Sequence, residues 1–195
     1  MKQITLAAIG AIVILTLAYC AQDTPKTTPE AKAATTSVDP VKRGEYLVTI
    51  GGCNDCHSPK VMTQMGPEPD PARLLSGHPA NEPLPAITDK KVTAPGQWVL
   101  FSSGLTATVG PWGTSFAANL TPDDTGIGNW TEAQFFKAIR EGKSKGLDGT
   151  RPMLPPMPWF NIAKMTDDDL RAMFVYLKSL KPVKNVVPNP IPPTS

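Results

Sequence analysis

Apolar side chains recur at helical spacing near the end of the chain. A stretch that is capped by Thr166 and stopped by Pro182 carries apolar residues at the 3, 4, 7 intervals of a buried helix face. Asp167, Asp168 and Asp169 place negative charge at its N-terminus, where the helix dipole favours it. The apolar members of this face are Leu170, Met173, Phe174 and Leu177. This pattern predicts a helix that packs on the core through one side.

An earlier segment also predicts a helix, although its apolar positions keep the helical spacing only in part. Asp39-Pro40 supplies an N-cap and a first-turn proline, and the helix from about Pro40 to Ile50 ends at Gly51-Gly52. Within it, Gly44 would let another helix approach closely, because glycine has no side chain to keep the two backbones apart.

A third helix is predicted between residues 131 and 142. Thr131-Glu132-Ala133-Gln134 has the form of a capping box, in which the threonine side chain accepts a hydrogen bond from the backbone N–H of the fourth residue. Gly142 follows the segment and is typical of a helix end. The apolar stripe between these signals consists of Phe135, Phe136 and Ile139.

Proline and glycine dominate the stretch between residues 58 and 130 and argue against regular helix there. We expect a short strand over Gln97 to Phe101, and a turn with a strand over Gly104 to Gly113. A structureless loop of this length is unusual in a compact domain. We therefore expect the insert to wrap around the functional site and to pack its aromatic residues against the core. These residues are Trp98, Phe101, Trp112 and Phe116.

The first 19 residues are expected to be a signal peptide of the lipoprotein type. Lys2 gives a positive start, and an uncharged apolar run extends from Ile4 to Ala18, a length that suits a signal segment. The run ends at Leu17-Ala18-Tyr19-Cys20, which resembles a bacterial lipobox, so that Cys20 would carry a lipid. An ordinary signal peptide and an uncleaved anchor are the alternatives. In each case the folded part lies outside the cytoplasm, on the periplasmic or cell-surface side. In the lipoprotein case the lipid on Cys20 would anchor it to the membrane.

Composition divides the remainder of the chain into three parts. Residues 20–39 hold almost no large apolar side chains, so they are expected to form a flexible tether. Residues 188–195 are a proline-rich tail. Residues 40–187 are of a size that suits one domain. The formal net charge is only +2, which does not suggest a nucleic-acid partner.

The sequence Cys53-Asn54-Asp55-Cys56-His57 is a C-x-x-C-H motif, which attaches a c-type haem. Two thiols at this spacing add to the two vinyl groups on one edge of a haem, and the following histidine binds the iron. A zinc site would need four ligands, and a thioredoxin-like redox pair would need a strand-helix-strand setting that is missing around this motif. A simple disulfide would leave His57 without a role. The motif therefore predicts one haem c, held by Cys53, Cys56 and His57.

Met157 is the candidate for the second axial ligand of the iron. Prolines on both sides of it forbid a helix and stiffen the loop Leu154–Trp159, which would present the thioether across the haem face. A thioether favours ferrous iron and raises the reduction potential. Met153 in the same loop, His78, and an open sixth position are the alternatives.

The motifs together resemble bacterial class I monohaem cytochromes c, and are similar to the cytochrome domains that serve membrane-bound alcohol and sugar-acid dehydrogenases. The resemblance covers residues from about 41 to 187. The segments that carry it are Arg43–Leu47, Cys53–His57, Asn119–Asp123, Thr125–Gly128, Trp130-Thr131, Pro156–Trp159, Met165–Leu170 and Tyr176–Leu180.

The resemblance implies an all-α cytochrome c fold, in which the first and last helices cross near the haem edge and the long insert follows the haem motif. It assigns Cys53 and Cys56 to haem attachment, and His57 and Met157 to the iron. The implied function is electron transfer by one haem iron that cycles between Fe(III) and Fe(II), with a dehydrogenase or terminal oxidase as redox partner. A haem subunit of such a complex is the first alternative. A peroxidase-like enzyme with an open iron site is the second.

Overall fold

The computed structural model describes residues 39–193. The expected signal peptide, Cys20 and the tether up to residue 38 lie outside these residues. The described part of the chain holds five α-helices and two short 3-10 helices. The α-helices are α1 (Pro40–Ile50), α2 (Cys53–His57), α3 (Glu132–Glu141), α4 (Trp159–Ile162) and α5 (Asp167–Ser179); the 3-10 helices are Lys90–Thr93 and Ser144–Gly146.

Helices α1 and α5 cross in direct backbone contact. A Cβ atom at Gly44 would overlap the carbonyl oxygen of Ala172 and lie 2.6 Å from Cβ of Tyr176, so only glycine fits at the crossing. Beside it, Arg43 Nε donates to Asp169 Oδ1 at 2.9 Å and joins the same two helices. The contact that the resemblance implied between the first and last helices is therefore present.

The three predicted helix starts are capped by the residues that the sequence offered. Asp39 Oδ1 accepts from Val41 N at 2.9 Å, and Thr131 Oγ1 accepts from Gln134 N at 3.1 Å. Thr166 accepts in the same way at the start of α5. These caps satisfy N–H groups that have no partner inside the helix, which fixes where each helix begins.

The expectation of an all-α fold is wrong, because the insert after the haem motif forms two small antiparallel sheets. The first sheet pairs two four-residue strands, and the second has three strands in sequential order. Chain reversal in the insert falls at glycines such as Gly66 and Gly113, both with positive φ. The strands are β1 (Lys60–Thr63), β2 (Gly66–Pro69), β3 (Leu100–Phe101), β4 (Ala107–Gly110) and β5 (Gly113–Phe116).

The aromatic residues of the insert do not all pack inward as expected. Trp98 is 68% exposed and Phe101 is 46% exposed, so the core does not hold them. Phe116, by contrast, contacts the ring of the buried His78 at 4.8 Å between centroids. The strand around Trp98 is also shorter than predicted, since β3 covers only two residues.

One hydrophobic cluster joins α1, α3 and α5. Leu47 and Val48 from α1 meet Phe135 from α3 and Leu170 from α5, all of them buried. Around this cluster lies a set of apolar side chains that are only partly covered. The set includes Cys53, Leu120, Trp130, Phe136, Met153, Met157, Ile162 and Met165. Among residues 39–193, no helix has both the length and the apolar character that a membrane span requires.

The segment after α5 returns across the insert. Thr114 of β5 and Ile191 exchange two backbone hydrogen bonds of 2.8 and 3.0 Å. Asn185 donates from Nδ2 to the carbonyls of Ser76 and His78. The final residues thus fasten the insert to the helical part of the domain.

Candidate functional site

The C-x-x-C-H motif lies on the short helix α2, directly after α1. Gly52 supplies the sharp entry, with a left-handed backbone at φ 66° that a side chain would strain. Cys53, Cys56 and His57 are all half-buried. Cys53 packs against the edge of the hydrophobic cluster. The two thiols and the imidazole therefore leave one short helix at the margin of the core.

The two cysteines of the motif are not joined in a disulfide. Burial raises the pKa of Cys53 to about 11, and burial followed by the charge of Asp55 raises the pKa of Cys56. Reactive cysteines of redox motifs have lowered pKa values, so these thiols do not have the character of a redox pair. Among the described residues, no group of three or more His, Cys, Asp and Glu side chains is placed to hold a metal ion.

The ring of His57 is oriented by a backbone carbonyl. Nδ1 lies 2.8 Å from the oxygen of Ala118, a distance at which the ring N–H donates to that carbonyl. This bond selects the tautomer in which Nε2 keeps a free lone pair, as metal-binding histidines require. Burial, the largest influence, lowers the pKa of His57 and favours the neutral imidazole.

Two side chains hold the C-terminal end of α2. Ser58, which is fully buried, donates to Asn54 Oδ1 at 2.7 Å. Lys60 Nζ donates to the carbonyls of Asn54, Asp55 and Ser58 at 3.1, 2.9 and 2.6 Å. A lysine at this place satisfies carbonyls that have no helical partner and opposes the negative end of the helix dipole.

Met157 lies in an irregular loop with prolines around it, as the sequence indicated. The Pro155–Pro156 peptide is cis. Ser115 Oγ, in strand β5, donates to the carbonyl of Pro155 at 2.6 Å and ties the loop to the second sheet. Met157 and Met153 are both half-buried and both pack against the hydrophobic cluster, so burial does not separate them.

His78 is a buried residue of the insert. It is 1% exposed, and its Nδ1 lies 2.8 Å from Thr106 Oγ1. The N–H of the preceding Gly77 donates to the carbonyl of His57 at 2.7 Å. His78 thus follows a residue that bonds to the His57 backbone. Its Nδ1 is paired with Thr106, and among the described residues its Nε2 is buried without a hydrogen-bond partner.

The structure adds residues that carry no recognisable signal in the sequence. Ala118 acts through its carbonyl, which every residue type has, so nothing in the sequence marks it as the acceptor for His57. Ser115 is one of several serines in the chain. The glycine of Ser76-Gly77-His78 has a positive φ, but sequence alone does not show what its backbone contacts.

Comparison with known proteins gives several relatives. The gluconate 2-dehydrogenase cytochrome c subunit of Pantoea cypripedii is 32% identical over 137 residues, which are 70% of this chain and 22% of that subunit. The cytochrome c subunit of the quinone alcohol dehydrogenase of Gluconobacter oxydans is 32% identical over 145 residues, 73% of this chain and 22% of that subunit. The fructose dehydrogenase cytochrome subunit of Gluconobacter japonicus is 38% identical over 85 residues, 43% of this chain and 17% of that subunit.

No protein-family model matches the chain. The chain spans about a fifth of the length of the gluconate and alcohol dehydrogenase subunits, 22% in each case. Both of these matches extend over 70% or more of the chain. The similarity of this chain to cytochrome c subunits of dehydrogenases confirms the resemblance that its motifs indicated.

Proposed function

We propose that the protein is a single-electron carrier that holds one covalently bound haem c. The observation that carries the proposal is the C-x-x-C-H motif on α2, with two cysteines that are not paired in a disulfide and a histidine whose Nδ1 is bonded to a carbonyl. Similarity to cytochrome c subunits supports the same cofactor. No substrate bond is broken in this function, and the protein is not itself an enzyme.

The residues present fit a c-type haem. Cys53 lies at the margin of the hydrophobic cluster and Cys56 is half-buried one helical turn away, so two thioethers would form there without burying a charged thiolate. The half-covered apolar side chains around the cluster are suited to a flat apolar ligand. Burial lowers the pKa of His57 and favours the neutral imidazole, and the bond of Nδ1 to Ala118 leaves Nε2 available. When bound, the haem supplies an iron that accepts one electron and releases it again.

The protein's own residues set the conditions for that exchange. Ala118 holds the ring of His57 in one orientation, which keeps the proximal ligand basic. Ser115 fixes the loop of Met157, which we assign as the distal ligand. Two fixed ligands let the iron change its oxidation state with little rearrangement, and the neutral thioether favours the reduced state.

The position of His78 favours Met157 over a bis-histidine site. His78 follows Gly77, whose N–H bonds to the His57 carbonyl, whereas a second ligand would have to reach the iron from the side away from His57. The alternatives are Met153, His78 and an open sixth position, which optical spectra of the variants distinguish from Met157.

We propose a dehydrogenase or terminal oxidase as redox partner. The relatives are cytochrome subunits of dehydrogenases, which supports a role as haem subunit of such a complex as the alternative to a free carrier. We also propose export to the periplasmic or cell-surface side, with a lipid on Cys20 as membrane anchor. Co-purification of a dehydrogenase from solubilised membranes would support the subunit role.

The test is mass spectrometry and optical spectroscopy of protein from a host that matures c-type cytochromes. We expect one haem mass and two thioethers, and a methionine-to-iron charge-transfer band in the oxidised protein. Met157→Ala should abolish the band, and Met153→Ala, the matched control from the same loop, should keep it. Unmodified thiols on Cys53 and Cys56 would contradict the haem. A wild-type protein without the band, or with rapid carbon monoxide binding when reduced, would contradict methionine ligation.

A further inference from the structure

We propose that Gly77 is a positioning residue of the haem site, because its missing side chain sets the Ala118 carbonyl against His57. The inference rests on the proposed function, since it concerns His57 as the iron ligand. Gly77 lies in the insert, 20 residues beyond His57 in the numbering. It contacts both partners of the His57–Ala118 hydrogen bond through backbone atoms.

The first contact is with His57 itself. The N–H of Gly77 donates to the carbonyl of His57 at 2.7 Å. This bond fixes the insert directly to the last residue of α2. The position of residue 77 and the position of the His57 backbone are therefore coupled.

The second contact is with the segment that carries the acceptor. Residues 75–78 run beside residues 117–120, with Leu120 N donating to the Leu75 carbonyl at 2.8 Å and His78 N donating to the Ala117 carbonyl at 2.9 Å. Between these two bonds, Gly77 lies directly against Ala118. The pairing therefore presents the Ala118 carbonyl to His57 Nδ1, 2.8 Å away.

Only glycine permits this approach. A Cβ atom at residue 77 would lie 2.6 Å from the Ala117 oxygen, 2.6 Å from the Ala118 carbonyl carbon and 2.7 Å from the Asn119 nitrogen. All three are backbone atoms, which cannot rotate out of the way as a side chain can. A side chain at residue 77 would therefore push the acceptor segment away from His57.

The other side of the glycine is also held. Asn185 Nδ2 donates to the carbonyls on both sides of Gly77, to Ser76 at 2.7 Å and to His78 at 2.9 Å. Asn185 Oδ1 accepts from Ala80 N at 3.0 Å. The segment around Gly77 thus lies between the Asn185 side chain and residues 117–120, so it cannot move aside to make room for a larger residue.

The consequence is electronic as well as structural. A histidine that donates its second ring N–H to a carbonyl is a more basic metal ligand, and such outer partners tune a metal by about 10–100-fold in affinity or activity. A weaker bond to Ala118 makes the imidazole a poorer donor and so stabilises ferric iron less. The reduced form of the protein should gain population at any fixed ambient potential.

The test compares Gly77→Ala with Gly96→Ala as haem-loaded full-length proteins. Gly96 has φ +81° against +80° for Gly77, but a Cβ there meets nothing within 4 Å, so the control carries the same backbone strain without the collision. The readouts are the exchange rate of the His57 Nδ1–H proton, measured by NMR on the reduced protein, and the midpoint potential. For Gly77→Ala we expect exchange at least about tenfold faster and an Fe(II)/Fe(III) ratio about tenfold higher. The control should match wild type in both.

Wild-type exchange and potential in Gly77→Ala would overturn the inference, and so would equal changes in both variants. If Gly77→Ala does not fold, Asn185→Ala tests the inference in its place, because it frees the segment around Gly77 without adding atoms. Asn185→Ala should also speed the exchange of the His57 Nδ1–H proton and raise the midpoint potential. Unchanged values of both would again overturn the inference. A wild-type protein without covalent haem would instead overturn the proposed function, before any variant is compared.

Discussion

The imidazole of His57 is oriented by a residue 61 positions further along the chain, through a bond of 2.8 Å to the Ala118 carbonyl. The two thiols of the motif are neighbours of the histidine in sequence, and the carbonyl that orients it comes from the far end of the insert. A local motif can supply the ligands of a cofactor, but the orientation of these ligands depends on residues outside the motif. At the scale of single residues, the site is therefore only partly local.

Asp169 allows a test of stability against pH. The hydrogen bond from Arg43 is the largest influence and lowers the pKa of Asp169 below its ordinary range, although burial opposes it. A lowered native pKa means that the folded state binds fewer protons than the unfolded state, so the stabilisation is complete above about pH 5 and is lost as the pH falls through the native pKa. Asp169→Asn should reduce the melting temperature at pH 7 modestly, as exposed ion pairs do, and should converge with wild type once the pH lies below the native pKa of Asp169.

Asp168→Asn is the matched control for this variant. It removes the same charge from the same helical turn, but its carboxylate is 94% exposed and pairs with Arg171 of its own helix. It therefore leaves the link between α1 and α5 intact. Parallel melting curves for both variants across the acid range would show that the pairing with Arg43 does not matter.

The crossing of α1 and α5 depends on one missing side chain. Gly44→Ala would place a Cβ atom in collision with the Ala172 oxygen, so the helices must separate or α1 must shift. Overpacking of this kind costs about 1–3 kcal/mol and occasionally more. Denaturant unfolding of the haem-loaded variant should show a free energy of unfolding that is lower than that of wild type by this amount or more. Lys42→Ala, at an exposed position of the same helix, should stay within about 0.5 kcal/mol of wild type.

Strand β5 joins the insert to the loop of Met157. Ser115 is buried, and Ser115→Ala removes its bond to the Pro155 carbonyl, with a cost of about 1 kcal/mol. Under the proposed function, the loosened loop should release the distal ligand more often, and carbon monoxide should bind the reduced variant faster. Ser102→Ala, the control, removes a serine of the same sheet region that bonds to Ala107 N. Equal rates of carbon monoxide binding in both variants would show that Ser115 does not help to keep the distal ligand bound.

The helices could be predicted from the sequence because their signals are local. Asp39, Thr131 and Thr166 cap the helices that they were predicted to cap, and Gly142 ends α3 in the left-handed conformation. The reciprocal half of the capping box is not formed, because the Gln134 side chain donates to the Lys145 carbonyl instead. A capping signal is contained in four residues, but the partner of a long side chain depends on the fold around it.

The sheets were harder to predict from the sequence. Strands of two to four residues give too few alternating positions to produce a clear pattern, and the prolines obscured them further. The sequence also did not indicate that Trp98 and Phe101 are exposed, because aromatic residues usually bury a large area. The thiols and histidine of the motif were identifiable from spacing alone. Ala118, Ser115 and Gly77 were not, because their roles depend on backbone contacts across the insert.

Considered as a whole, the domain has an apolar surface that its own chain covers only in part. The buried cluster of α1, α3 and α5 is surrounded by half-covered apolar residues, Met153 and Met157 among them. Each apolar Å² removed from water contributes about 25 cal/mol. A bound haem would cover this surface, so the protein should depend on it for much of its stability.

The corresponding prediction concerns the protein without its cofactor. Cys53→Ala/Cys56→Ala made without haem should melt roughly 10 °C or more below the haem-loaded wild type, bind more of an apolar dye, and lose cooperativity. The same double variant mixed with free haem separates two effects: recovery of the melting temperature would show that apolar contact stabilises the fold, and no recovery would show that the thioethers are required. Native helix content and cooperative unfolding in the haem-free variant would mean that α1, α3 and α5 form a self-sufficient core. A protein partner, not a cofactor, would then be needed to cover the half-covered apolar residues around that core.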